Sequence, residues 1–206
     1  MKCAEILKDT SYSVLLIEKN EVIGPKTCGG GLTPLVNITD FPEEKTMVFN
    51  KQNTVLNGKE YTITFISPLR TIDRFDLGQY QLSKIINSKN IKLLIGTKVN
   101  SIDDNRIVTT KGVFQFKYLV GADGSHSITK IYLGLSSKRY YGICCSVQKV
   151  ANDLVWEFKP NKIGSGCFWV FPHKNHTNIG IYFNPSILRQ KVAIKFLRKY
   201  IEKKRI

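Results

Sequence analysis

No apolar stretch in the 206-residue sequence approaches the roughly 20 residues needed to span a bilayer, and the N-terminus lacks the apolar core of a signal peptide. The expected location is therefore the cytosol. Five cysteines (Cys3, Cys28, Cys144, Cys145 and Cys167) form no C-x-x-C pair, and an odd count excludes a complete disulfide framework, so reduced thiols are expected. Acidic residues are scarce, 16 against 31 lysines and arginines, which gives a formal charge of +15. That excess is spread along a lysine-rich chain with no nucleic-acid module, so no nucleic-acid partner is expected. No Ser-His-Asp spacing supports a hydrolase. His173 and His176 have no nearby Cys, Asp or Glu to complete a metal set, so no metal is expected and both are read as solvated. There is no internal repeat and no low-complexity linker.

With 42% hydrophobic residues the chain can bury a core. Residues 1–8 read as the last turns of a helix, and residues 13–17 as a buried parallel strand of continuous apolar character ending in Glu18. Short strands are expected near 46–49 and 61–65, a helix over 76–87, and a strand over 92–95. A hairpin around the Thr-Thr-Lys-Gly turn joins 102–108 to 112–116 and leads into a strand at 118–120. From about residue 139 the pattern changes to antiparallel strands over 140–147, 155–158, 166–171 and 178–183, with a turn at 172–177. Residues 191–206 repeat apolar positions at helical spacing between lysines and arginines. Such a helix either packs on its own domain or lies on an anionic membrane surface.

Several segments carry chemistry. The hydrophobic run into Gly121-Ala122-Asp123-Gly124 sets a carboxylate and bare backbone at a strand end, where they suit a ribose and phosphate of a bound flavin nucleotide. Glu18, ending its strand, can accept from an adenosine ribose or simply end a strand. Lys26-Thr27-Cys28-Gly29-Gly30-Gly31-Leu32 offers either close backbone approach to a ring or phosphate, or a turn that needs positive φ. Cys28 is a thiol candidate for acid chemistry or a small packing residue. In Asp73-Arg74-Phe75-Asp76 the guanidinium suits a pyrophosphate, with an ion pair to Asp73 or Asp76 as the rival. Trp169, in Cys167-Phe168-Trp169-Val170-Phe171-Pro172, suits an aromatic wall for an apolar substrate or plain sheet core.

In order and spacing these motifs resemble the geranylgeranyl reductase family, flavoproteins with the fold of p-hydroxybenzoate hydroxylase. The resemblance implies an α/β architecture: an incomplete Rossmann-like FAD-binding domain over 1–138 and an antiparallel-sheet substrate domain over 139–206. It implies an FAD enzyme, reduced by an external donor such as NADPH or ferredoxin, that saturates double bonds of a prenyl chain in lipid or isoprenoid biosynthesis. A prenylated lipid would be the substrate, and peripheral contact with an anionic membrane would follow. By position, Glu18 would bind the ribose, and Cys28, Gly29 and Gly31 would line the flavin. Arg74 would meet the phosphates, Val99 the adenine through its backbone, and Asp123 and Gly124 the ribityl and pyrophosphate region. Trp169 and Phe171 would border the substrate, and Cys28 would be the catalytic thiol. Cys167 stands where the family carries tyrosine, and Lys130 where it carries arginine. The family's first strand and glycine-rich turn have no counterpart, which points to a fragment or a displaced start. A flavin monooxygenase acting on a small aromatic and a non-catalytic fragment are the alternatives.

Overall fold

The computed structural model of the chain describes residues 1–33, 35–36, 38, 40–137 and 140–204. Two compact units emerge, Met1–Pro25 with Leu77–Lys138 and Lys26–Asp76 with Arg139–Ile206. The expected junction at 138/139 lies outside the described residues, and residues 26–76 group with the C-terminal segment.

The first unit begins with helix α1 (Lys2–Leu7) and strand β1 (Val14–Ile17). The Asn90 side-chain amide ties the intervening turn together by donating to the carbonyls of Leu7, Thr10 and Tyr12. It sits directly before β5 (Ile91–Leu94), which pairs in parallel with β1 from Val14↔Ile91 to Ile17↔Leu94. The continuous Val-Leu-Leu-Ile run thus becomes a parallel strand, as its lack of alternation requires. A three-stranded antiparallel sheet follows, β6 (Val99–Asp103), β7 (Arg106–Thr109) and β8 (Gly112–Gln115). Residues 118–120, expected as a strand, are not one: Tyr118 and Val120 are exposed, and no described segment pairs with them. An apolar run becomes a strand only where a neighbour supplies its ladder. Helix α3 (Ile128–Tyr132) closes the unit, and the Tyr132 hydroxyl donates to Asp104 O at 3.2 Å.

The second unit is a seven-stranded sheet in the order β2-β4-β3-β10-β11-β12-β9. Its strands are β2 (Gly31–Leu32), β3 (Thr46–Leu56), β4 (Lys59–Ile72), β9 (Tyr141–Val147), β10 (Val155–Phe158), β11 (Cys167–Pro172) and β12 (Thr177–Phe183). β3 and β4 form one long hairpin, far longer than the short strands expected, turning at Asn57-Gly58 with positive φ at both. β10 runs parallel to β3 and antiparallel to β11, so it welds the two chain segments into one sheet.

Every residue of β11 is buried. One face carries Phe168 and Val170, which pack with Ile179, Ile181 and Phe183 against Ala193, Leu197 and Tyr200 of helix α5 (Gln190–Lys204). Ile179, Ile181 and Phe183 are fully shielded from solvent, and each such side chain stabilises the fold by about 1.5–3 kcal/mol. The opposite face carries Trp169 and Phe171, clustered with Leu69, Leu154, Phe49, Phe65, Cys144 and Trp156. The short helix α4 (Pro160–Ile163) leads from β10 toward β11 and buries Ile163 in the α5 side. Helix α2 (Arg74–Ser83) begins two residues before its expected start because the Asp73 side chain accepts from Phe75 N at 2.8 Å and caps it.

Candidate functional site

In the first unit, the C-terminal ends of the parallel strands are stitched to each other. Glu18 N donates to Leu94 O at 2.9 Å, Thr97 N to Glu18 O at 2.9 Å, and Gly96 N to Asn20 O at 3.0 Å. Gly96 has φ +57, and a Cβ there would run into the Glu21 carboxylate. This turn holds Glu18 at the strand end, where open parallel sheets bind nucleotides. Its Oε1 accepts from Asn20 N at 2.9 Å, which leaves Oε2 without a donor among the described residues. Val99 opens β6 opposite Thr109, next to a register shift between Val99 and Ser101.

Asp123 does a structural job. Its Oδ2 accepts from Ile128 N at 2.7 Å and Thr129 N at 3.1 Å, and its Oδ1 takes the Ser127 hydroxyl. Ser127 Oγ in turn accepts from Lys130 N at 2.9 Å. The carboxylate thus satisfies the free amides that open α3. Partial burial opposes its charge, but the Ser127 and backbone hydrogen bonds outweigh that and hold its pKa below the usual carboxylate value. Gly124 turns the chain at φ +81 with open space where a Cβ would stand.

In the second unit, the glycine run packs against the end of β11. A Cβ on Gly29 would meet Phe171 and the Trp169 indole, and one on Gly31 would meet Phe171 at 2.6 Å. Gly30 has φ +75, and a Cβ there would strike the His173 ring and Ile72 O. Gly30 O accepts from Ile72 N at 3.0 Å, and Gly30 N reaches Cys28 Sγ at 3.5 Å. These contacts explain the three glycines by packing alone. Gly30→Ala is expected to lower stability by about 3 kcal/mol, the sum of a left-handed backbone and a crowded methyl. Thermal unfolding of the ligand-free chain checks this, and an unchanged midpoint would contradict it.

His173 locks the same loop and was not read as a site from the sequence. It is buried rather than solvated, only 5% exposed. Its Nε2 lies 2.9 Å from Gly29 O, its backbone N donates to His176 O at 2.8 Å, and its ring stacks on His176 at 4.6 Å. Burial holds the imidazole below its usual pKa, so it is neutral at pH 7. Thr71, also fully buried, donates its hydroxyl to Pro172 O. The sequence signal was a His directly following an all-apolar strand. Its partner, a carbonyl 144 positions earlier, left no local trace.

Arg74, three residues past Thr71, takes neither carboxylate beside it. Asp73 caps Phe75 N, and Asp76 pairs with Lys45 at 2.6 Å. The Arg74 Nε is buried with no hydrogen-bond partner among the described residues. The residue as a whole is half-buried; a buried N–H of a guanidinium without an acceptor is costly and fits an anionic ligand. Trp169 and Phe171 are both buried, the Trp169 indole donates to Asn178 Oδ1 at 2.8 Å, and Phe171 meets Trp156 edge-on at 5.2 Å. They form the wall behind the glycine loop. Among the described residues, no group of three or more His, Cys, Asp or Glu could hold a metal. An open depression of about 530 Å³ elsewhere on this unit is lined by Glu43, Glu44, Met47, Arg70 and Lys174 among others, and includes none of the expected site residues.

The expected residues therefore fall into two groups. Glu18, Val99, Asp123 and Gly124 belong to the first unit, and Cys28, Gly29, Gly31, Arg74, Trp169 and Phe171 to the second. Within the second, the structure brings Cys28, the glycines, Trp169 and Phe171 together.

No protein-family model matches the chain. An uncharacterized protein of Methanosarcina barkeri is 28% identical over 97% of this chain and 54% of its own length. Among solved structures, a geranylgeranyl bacteriochlorophyll reductase-like protein from Thermoplasma acidophilum superposes with a TM-score of 0.75 at 18% identity, covering 92% of this chain and 55% of that one. PqsL, a probable FAD-dependent monooxygenase from Pseudomonas aeruginosa, gives 0.67 at 14% identity over 89% of this chain and 57% of its own. The chain thus has the fold of FAD-dependent flavoproteins and spans about half the length of the proteins it matches. No helix among the described residues is long and apolar enough to cross a membrane.

Proposed function

We propose that this chain belongs to an FAD-dependent oxidoreductase that saturates double bonds of a prenyl chain. The observation that carries the nucleotide part is Arg74, whose buried Nε lacks a partner at the start of α2. Its charge and planar fork suit a pyrophosphate. Glu18 adds a carboxylate oxygen without a donor at the end of a parallel strand, which suits a ribose hydroxyl. Each group, taken within its own unit, therefore fits one part of a dinucleotide. Asp123 would act through α3, holding the Gly121–Gly124 turn in shape, since its oxygens already serve that helix.

Reduced FAD, when bound, supplies a hydride. Saturating an isolated double bond also needs a proton on the second carbon, and the Cys28 Sγ–H is the group of this chain suited to deliver it. Gly30 N, donating to Cys28 Sγ at 3.5 Å, orients that sulfur. Trp169, Phe171 and Trp156 back the loop with aromatic surface and so fix the backbone that carries Cys28. The Cys28 thiol and the fold shared with a reductase-like protein support the prenyl reading. A monooxygenase of small aromatics is the second reading, supported by the fold shared with PqsL.

Anaerobic incubation of the protein with FAD, a chemical reductant and a geranylgeranyl lipid separates the two. Prenyl reduction predicts products heavier by two hydrogens per saturated bond. A prenyl lipid left unchanged there, with hydroxylation of an aromatic in a parallel incubation under air, would overturn it.

A further inference from the structure

α5 presents two faces of opposite character. Ala193, Leu197 and Tyr200 are buried against the sheet. Lys191, Lys195, Arg198, Lys199 and Lys203 are all exposed, and their spacing of three, four and seven residues sets them along the outward side. Glu202 is the one carboxylate among them, and it is exposed as well. None of the five cations forms an ion pair with a described residue, whereas Lys204, on the inward side, does reach Glu157 at 3.6 Å. The α5 apolar stripe is occupied by its own domain, so the helix does not embed in a bilayer; its outward side is a convex cationic ridge.

Beside the N-terminal end of the ridge two apolar side chains stand out. Ile187 is 61% exposed and Val192 37% exposed, next to Arg189 and Lys191, both exposed. We infer that the outward face of α5 docks on an anionic lipid bilayer, with the lysines and arginines on the headgroups and Ile187 and Val192 at the acyl boundary. The charge pattern matches a polyanionic surface. A bilayer fits better than a nucleic acid because the ridge has no exposed aromatic for base stacking, and because exposed aliphatics gain from an acyl boundary but not from a phosphate backbone. This contact stands on α5 alone and goes beyond the flavin reading; it is measured without turnover, so either can fail while the other holds.

Each cation near an anionic membrane strengthens binding roughly five-fold. Flotation of the full chain with phosphatidylglycerol–phosphatidylcholine vesicles should show binding that pure phosphatidylcholine vesicles do not support. It should be lost at about 1 M salt, where the screening length is about 3 Å. Reversing Lys191, Lys195 and Arg198 to glutamate should weaken binding about 100-fold or more, while reversing the exposed Lys51, Lys59 and Lys117 should change it far less. Far-UV circular dichroism and the melting midpoint establish that each variant is folded, and the salt release of the unaltered chain tests the contact without any variant. Equal binding to neutral vesicles, equal loss from both sets of reversals, or tighter α5-dependent binding to duplex DNA than to vesicles at the same salt would each overturn the inference.

Discussion

Lys159→Met should lower the stability of the chain by about 3 kcal/mol at pH 7, a fall in melting midpoint of roughly 6–12 °C. Glu157 of β10 is 6% exposed, and its carboxylate pairs with Lys159 at 2.7 Å and with Lys204 of α5 at 3.6 Å. The Lys159 ammonium also lies 5.2 Å from the Phe168 ring centre, and Phe168 stacks on Tyr200 at 4.5 Å. Removing Lys159 takes away the shortest contact of a buried carboxylate and leaves the longer one to Lys204 and the neighbouring Tyr200 hydroxyl, and it is this under-compensated charge that destabilises.

The pH dependence follows from the same pair. Burial pushes the Glu157 pKa up, but the hydrogen bond and charge of Lys159, with Lys204, outweigh it and leave the pKa below the usual value of 4.5. A carboxylate depressed on folding stabilises above its unfolded value, and that contribution is lost as pH falls through the folded one. The gap between the wild type and Lys159→Met should therefore close as pH falls from the ordinary glutamate value through the depressed folded one. Glu157→Gln combined with Lys159→Met should recover most of the loss at pH 7, since no charge stays buried. Denaturant unfolding across pH measures all three. A constant gap between wild type and variant from neutral to acid pH would sink the explanation.

Arg74→Met should separate ligand binding from folding. The buried Nε has no acceptor, so its loss should leave ligand-free stability unchanged or raise it by about 1 kcal/mol. FAD affinity should fall by about 10–100-fold, the worth of a charge-assisted hydrogen bond to phosphate. Calorimetric unfolding without ligand and a flavin-fluorescence titration give the two numbers. A strongly destabilised ligand-free variant would mean that Arg74 supports the fold instead.

Local pattern carried much of this architecture. The unbroken apolar run at β1 marked a parallel strand, the alternation from Tyr141 onward marked β9 to β12, and helical spacing marked α5. The β3–β4 hairpin was legible only in part, because its middle, Lys51-Gln52-Asn53, is polar and is held in the sheet by pairing with Ile63 and Thr62 and with Val155 of β10. A parallel ladder between residues about 100 positions apart is set by tertiary context and has no local signature. Gly29 and Gly31 were visible as glycines, but their crowding by Trp169 and Phe171 was not. The glycine run, the Asp123 carboxylate and the aromatic strand all turn out to hold their own surroundings together. Arg74 stands apart because the fold buries its Nε and gives that atom no partner among the described residues.

Titrating FAD into the wild-type chain while following flavin fluorescence tests the nucleotide site most directly. A saturable one-to-one curve, weakened by Arg74→Met with the folded state intact, is the predicted result. A non-saturating response, or a curve that the substitution does not alter, would contradict it.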